Sequence, residues 1–389
     1  MNQNRSRPLR RGAYVFIGFL LAGLAVVIAF SWPAQLRTYR VLTHLSVPGN
    51  GPLVFDPVSR LIYAASADQA DVSILDGEKV IGHLASPGTY GVWTVPDRVG
   101  RVYVAHGMPD NFTDPFTILT VISKTEVVDS LQVHGGDLRG MAIESPSGQL
   151  IVVSTDRQEP YTTRVYEITE QGIRERLNLG PKVITQVVAN ARSGLVYLAD
   201  GNGEVGIVRA DRYEVVLDPL QVTGYHDQPI GLVASGTTDS VCLLTYSGLY
   251  LLRSDTFVQY SSFGSNAGAL AALIHPNGDV YVSFGNQVEP GEVRVYRDGR
   301  ENKNVTTGVY PHSMAVDSET GAVFVANAYS DDVTIIGNLM VQQTIDVGAY
   351  PYWIAYNDAT QLLYTSNDNA QTITVIGPSS DLFLPQLGR

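Results

Sequence analysis

Apolar and polar positions along this chain follow one unit that recurs about every 42 residues from Gly51 towards the C-terminus. Each copy has an apolar run, a turn with Gly or Asn, an aromatic and β-branched run, a polar loop, a further strand-like run and a closing Gly. The aromatic and β-branched run is the clearest marker: Leu61–Ala65, Arg101–Ala105, Leu150–Ser154, Leu195–Ala199, Ser240–Leu244, Asp279–Ser283, Ala322–Ala326 and Leu362–Ser366. Eight copies, each with room for four short strands, predict an all-β fold: a β-propeller of eight four-stranded blades. The third to sixth copies are degenerate, which leaves seven blades open as the alternative count.

In the seventh copy the pattern predicts strands over Ser313–Val316, Val323–Ala326, Val333–Ile336 and Val341–Val347. The inner strands are apolar on both faces, as sheets stacked between two neighbours require, and the outer one alternates like a half-exposed edge. The eighth copy has strands over Ile354–Tyr356, Leu363–Ser366 and Thr372–Ile376, then reaches Pro378, Ser379 and Ser380 with no fourth strand. Residues Val41–Val47 match the outer strand of the seventh copy, so the expectation is that they close the last blade and remove an open edge. The propeller then occupies residues 33–389, with repeats from 51.

Ahead of it, residues 1–12 carry Arg5, Arg7, Arg10 and Arg11 and no acid, and Ala13–Phe30 is an unbroken apolar run extending to Trp32. A run of that length spans a hydrocarbon core of ~30 Å as one helix. It exceeds the ~7–15 apolar residues of a cleavable signal. The expectation is a cytoplasmic basic tail (1–12), an uncleaved transmembrane anchor (13–32) and an extracytoplasmic propeller, in the periplasm or at the cell surface. Cleavage near Ala29 or Ala34 is the alternative.

Charge narrows the partners. The chain has 38 acidic residues against 26 basic ones, four of the latter in the leading tail. Such a surface repels phosphate backbones, so nucleic acid is not an expected partner. The membrane, through the N-terminal helix, and an extracytoplasmic protein or small ligand are. The single cysteine, Cys242, falls in a predicted buried strand and reads as an inert core thiol.

Pro311-His312-Ser313-Met314-Ala315-Val316, Val323-Phe324-Val325-Ala326-Asn327 and Val333-Thr334-Ile335-Ile336 resemble the YVTN family propeller repeat. The eighth copy repeats the likeness with Pro351-Tyr352-Trp353-Ile354-Ala355-Tyr356 and Leu363-Tyr364-Thr365-Ser366-Asn367. Where that family carries Asn, the other copies have Ser66, His106, Thr155, Asp200, Thr245 and Phe284, so the likeness is specific for fold only. Its commonest members are seven-bladed and often extracytoplasmic. The resemblance also implies a catalytic or cofactor-bound alternative, since similar propellers include lactonases and eight-bladed haem d1 proteins. In that reading His312 or His106 is placed to supply an axial ligand.

The repeat aligns Gly51, Tyr90, Arg139, Thr185, Ile230, Leu270, His312 and Tyr352 near the mouth of the central channel. Convergent polar and aromatic groups in a concavity make Tyr90, Arg139, His312 and Tyr352 the candidate ligand-binding set, with His106 and Trp353 as further rim residues. No catalytic residue, metal ligand set or resident cofactor is assigned. The seven histidines are scattered, and Gly201–Gly206 matches G-x-G-x-x-G but leads into a strand, with no helix N-terminus for a pyrophosphate. Asp110, Asn111 and Asp114 offer oxygen ligands in the loop His106–Pro115, yet without a calcium-loop pattern. The expected role is a membrane-tethered, non-catalytic binding or scaffold module for a protein, glycan or small ligand.

Overall fold

The computed structural model describes residues 37–47, 51–66, 69–86, 90–107, 116–145, 147–156, 161–209, 212–264 and 267–379, with backbone alone at 90–93, 106, 107 and 259. The tail 1–12, the expected anchor 13–32 and the calcium candidates at 110–114 lie outside the described residues. No helix among the described residues is long and apolar enough to cross a membrane.

Eight four-stranded antiparallel sheets make up the fold. Blade 7 has strands a Pro311–Val316, b Val323–Asn327, c Asp332–Gly337 and d Met340–Asp346. Blade 8 is built from Pro351–Asn357, Leu362–Asn367 and Thr372–Pro378, with Tyr39–Ser46 as its outer strand d. The a strands of successive blades touch one another around a closed ring that ends with blade 8 against blade 1. They are half-buried, as the wall of a central channel is, while the b strands are almost wholly buried. In the degenerate fifth copy, blade 5 keeps its b strand Ser240–Thr245 fully buried, and burial pushes the Cys242 thiol up to about 12, so it stays protonated.

Two repeated devices join blades. The residue at the end of strand a accepts with its side chain from the next backbone N–H groups, as Asp56 does from Val58 and Ser59 (both 3.0 Å) and Asn357 from Ala359 (3.0 Å) and Thr360 (3.1 Å). Asn190, His275 and Asn357 also reach a carbonyl of the following blade. The tyrosine of strand b is the second device. Tyr63 donates to the carbonyl of Lys124 (2.9 Å) and Tyr364 to that of Gly77 (3.1 Å), each on the next blade's c–d turn. A buried phenol thereby keeps a partner while its ring fills the space between sheets.

Candidate functional site

The site begins with a backbone irregularity. In blades 3 to 8 the first strand is bulged near its start, at Arg139, Thr185, Ile230, Leu270, His312 and Tyr352. A bulge inserts an unpaired residue and re-aims its side chain. The same bulge in blade 2 falls on Gly91, because Tyr90 pairs directly with Gly107. The repeat alignment therefore slips by one residue there, and Tyr90 does not occupy the position of His312; the side chains of Tyr90 and His106 lie outside the described set.

His312, Tyr352 and Trp353 come together. The His312 and Tyr352 rings stack at 3.5 Å between centroids, and Trp353 stands nearly perpendicular to both, at 6.2 Å and 5.6 Å. His312 Nδ1 donates to the Tyr352 carbonyl (3.2 Å), which also accepts from the Ser313 hydroxyl (2.8 Å). Burial pulls the imidazole pKa below its ordinary value, against the weaker opposing effect of that hydrogen bond, so the ring is neutral near pH 7. Nδ1 carries the proton, and Nε2 has no partner among the described residues.

Three further tyrosines extend the group. Tyr310 and Tyr350 each precede a strand a, and both sit in left-handed backbone, with φ of 58° and 61°. Blade 6 has Gly268 at the corresponding place, with φ of 69°, where no Cβ strain arises. Tyr310 is held by Ala328 N donating to its carbonyl (3.0 Å), and Tyr350 by Asp368 N doing the same (2.9 Å). Tyr350 N also donates to Asp331 Oδ1 (2.8 Å). Tyr329, from the b–c loop of blade 7, stands across both rings at 5.3 Å from each. Burial first, then the neighbouring phenols of Tyr329, Tyr352 and Tyr310, push the Tyr350 hydroxyl up to about 12. Tyr329 is 43% and Trp353 38% exposed, so the group presents ring surface to solvent.

Arg139 does not join them. It lies on blade 3, across the ring from blade 7, where its guanidinium meets Asp137 at 2.8 Å and donates to Thr155 Oγ1 at 3.0 Å. Its charge is neutralised by the residue two places earlier on the same strand. A hollow of about 500 Å³ beside Lys182 is similarly balanced, since Lys182 Nζ meets Glu204 at 2.5 Å and Asp200 at 3.4 Å. Among the described residues no group of three His, Cys, Asp or Glu is placed to hold a metal ion.

Tyr310, Tyr329 and Tyr350 escape the repeat alignment because it considers one position per blade. The available signal was Tyr-Pro, which occurs one repeat apart as Tyr310-Pro311 and Tyr350-Pro351.

No family model matches the chain, and no curated protein matches it. Many solved structures share the fold. Among them is the dihydro-heme d1 dehydrogenase NirN in complex with DHE, with a TM-score of 0.57 and 12% identity, covering 87% of this chain and 79% of that one. At that identity the likeness speaks for the propeller alone.

Proposed function

We propose that this protein is a binding module that takes a small ring-bearing ligand on the aromatic group of blades 7 and 8. The observation that carries this reading is the pair Tyr310 and Tyr350. A bulky residue in left-handed backbone costs energy, and the strain occurs twice where glycine would relieve it. Both rings serve one aromatic surface whose outer members stay exposed. Exposed Trp and Tyr bury much area on binding for little side-chain entropy.

The catalytic or cofactor-bound alternative rests on His312, whose Nδ1–H is fixed and whose Nε2 is open, as an axial ligand requires. The surroundings do not fit a haem-type group, which carries carboxylates. From Asn304 to Gly388 the chain has no Lys or Arg, Asp331 Oδ1 accepts from Tyr350 N, and burial, then Tyr310 and the charge of Asp368, raise the Tyr352 hydroxyl pKa. We therefore favour binding over catalysis. A thermal-shift screen of ring-bearing fragments tests it: hits on the parent protein are expected to vanish in Trp353→Ala. Hits that persist unchanged in that variant place the ligand elsewhere.

The repeats of blades 7 and 8 support a YVTN-type propeller, and the run 13–32 supports a membrane tether with the propeller outside. Protease added to intact spheroplasts is expected to digest the propeller and leave residues 1–32 with the membrane. A protected propeller, or a mature chain starting after Ala34, contradicts the tether.

A further inference from the structure

We infer that the aromatic site of blades 7 and 8 selects an organic cation, a quaternary or alkylated ammonium. This rests on the binding reading above and goes beyond it by fixing the charge of the ligand. Three independent observations converge. Six aromatic residues gather here: Tyr310, His312, Tyr352 and Tyr350 stack on one another, Tyr329 and Trp353 stand across them with exposed ring surface, and cations are drawn to the negative face of an aromatic ring. Among the described residues no Lys or Arg is seen over these rings: the span Asn304–Gly388 lacks both, and the cation–ring contacts fall on Tyr103, Tyr213 and Phe284 instead. Two carboxylates belong to the surroundings. Asp331, which is exposed, accepts from Tyr350 N with Oδ1, and the Tyr352 hydroxyl is pushed up by burial first, then by Tyr310 and the charge of Asp368.

His312 fits the same chemistry. A neutral imidazole adds no repulsion to a bound cation, and its proton is committed to the Tyr352 carbonyl. The span Asn304–Gly388 offers an anion no Lys or Arg to pair with. A neutral sugar gains the ring contact but leaves the carboxylates unused.

The experiment is a tryptophan-fluorescence titration of the full chain in polyoxyethylene-detergent micelles. The probes are choline, its uncharged isostere 3,3-dimethylbutanol, methyl glucoside and phenylacetate. Choline is expected to saturate the signal at least tenfold more tightly than 3,3-dimethylbutanol, with affinity falling as salt rises. Trp353→Phe should remove the response. Asp331→Asn should weaken choline severalfold with the melting temperature unchanged, and Tyr329→Ala should abolish binding. Glycerophosphocholine compared with choline distinguishes a lipid headgroup from a free ammonium: the tighter probe identifies the source. Equal binding of the isostere or tighter binding of the sugar overturns the cation and leaves the binding module standing. Tighter binding of phenylacetate overturns it too, and a silent Trp353 with every probe overturns both.

Discussion

Deleting residues 37–47 is expected to cost the propeller more than about 5 kcal/mol, a large share of the roughly 5–15 kcal/mol that stabilises a domain. The strand Tyr39–Ser46 pairs antiparallel with Thr372–Pro378 and supplies the outer edge of blade 8. Tyr39 is its anchor. Its ring meets Phe324 edge-on at 5.2 Å, and its hydroxyl donates to Asp317 at 3.3 Å. Gln343 of blade 7 accepts from Tyr39 N (3.0 Å) and donates to Tyr39 O (2.7 Å), so one side chain clamps two blades. Arg37 adds contacts to Asp317 (3.5 Å) and Glu319 (2.9 Å). Burial of Tyr39 and Val47 alone is worth about 3–6 kcal/mol, and each net hydrogen bond about 1 kcal/mol more. The deletion also bares Ile373, Val375 and Ile376 beside an unpaired edge, which favours aggregation. Urea unfolding of the deleted chain against the parent checks this. A soluble variant melting within about two degrees of the parent contradicts it.

Asn190→Ala is expected to lose about 3 kcal/mol or more, far above the effect of a surface change. This fully buried side chain makes five hydrogen bonds. Oδ1 accepts from Arg192 N (3.0 Å) and Ser193 N (2.9 Å) and shapes the a–b turn of blade 4. Nδ2 donates to the carbonyls of Ser235 (3.3 Å), Thr238 (3.0 Å) and Ser240 (3.0 Å) in blade 5. Alanine leaves buried donors and acceptors without partners on both blades. Asn190→Asp should be at least as damaging, because it keeps the acceptor but turns a carboxylate oxygen towards three carbonyls. Chemical denaturation of both variants is the measurement; a loss below about 1 kcal/mol for each shows that the joint is dispensable.

These joints show what the sequence displays and what it hides. The period and the buried b strands are written in residues such as Tyr63, Tyr197 and Tyr364, and eight blades follow from counting them. The hydroxyl partners are not written there, since Tyr63 meets Lys124 only once two blades stack. His312 and Tyr352 were legible because the repeat marks one position per blade. Tyr310 and Tyr350 depend on left-handed backbone, and Tyr329 on a loop that crosses between them, neither of which periodicity encodes. The slip at Tyr90 has a similar cause: Gly91 takes the bulge, so one residue is gained without any change in pattern. The Arg139–Asp137 pair was visible in principle, because residues two apart on a strand share a face.

The central claim is that the rings of blades 7 and 8 form a ligand site. Its most direct test is the ¹⁹F spectrum of the protein labelled with 5-fluorotryptophan, recorded with a set of ring-bearing cationic and neutral fragments. The chain has three tryptophans, and among the described side chains Trp353 belongs to this group. The account predicts that fragments shift the Trp353 resonance, leave Trp93 in place, and lose their effect in Tyr329→Ala. A Trp353 resonance that no fragment moves, or fragments that move only Trp93, contradicts it.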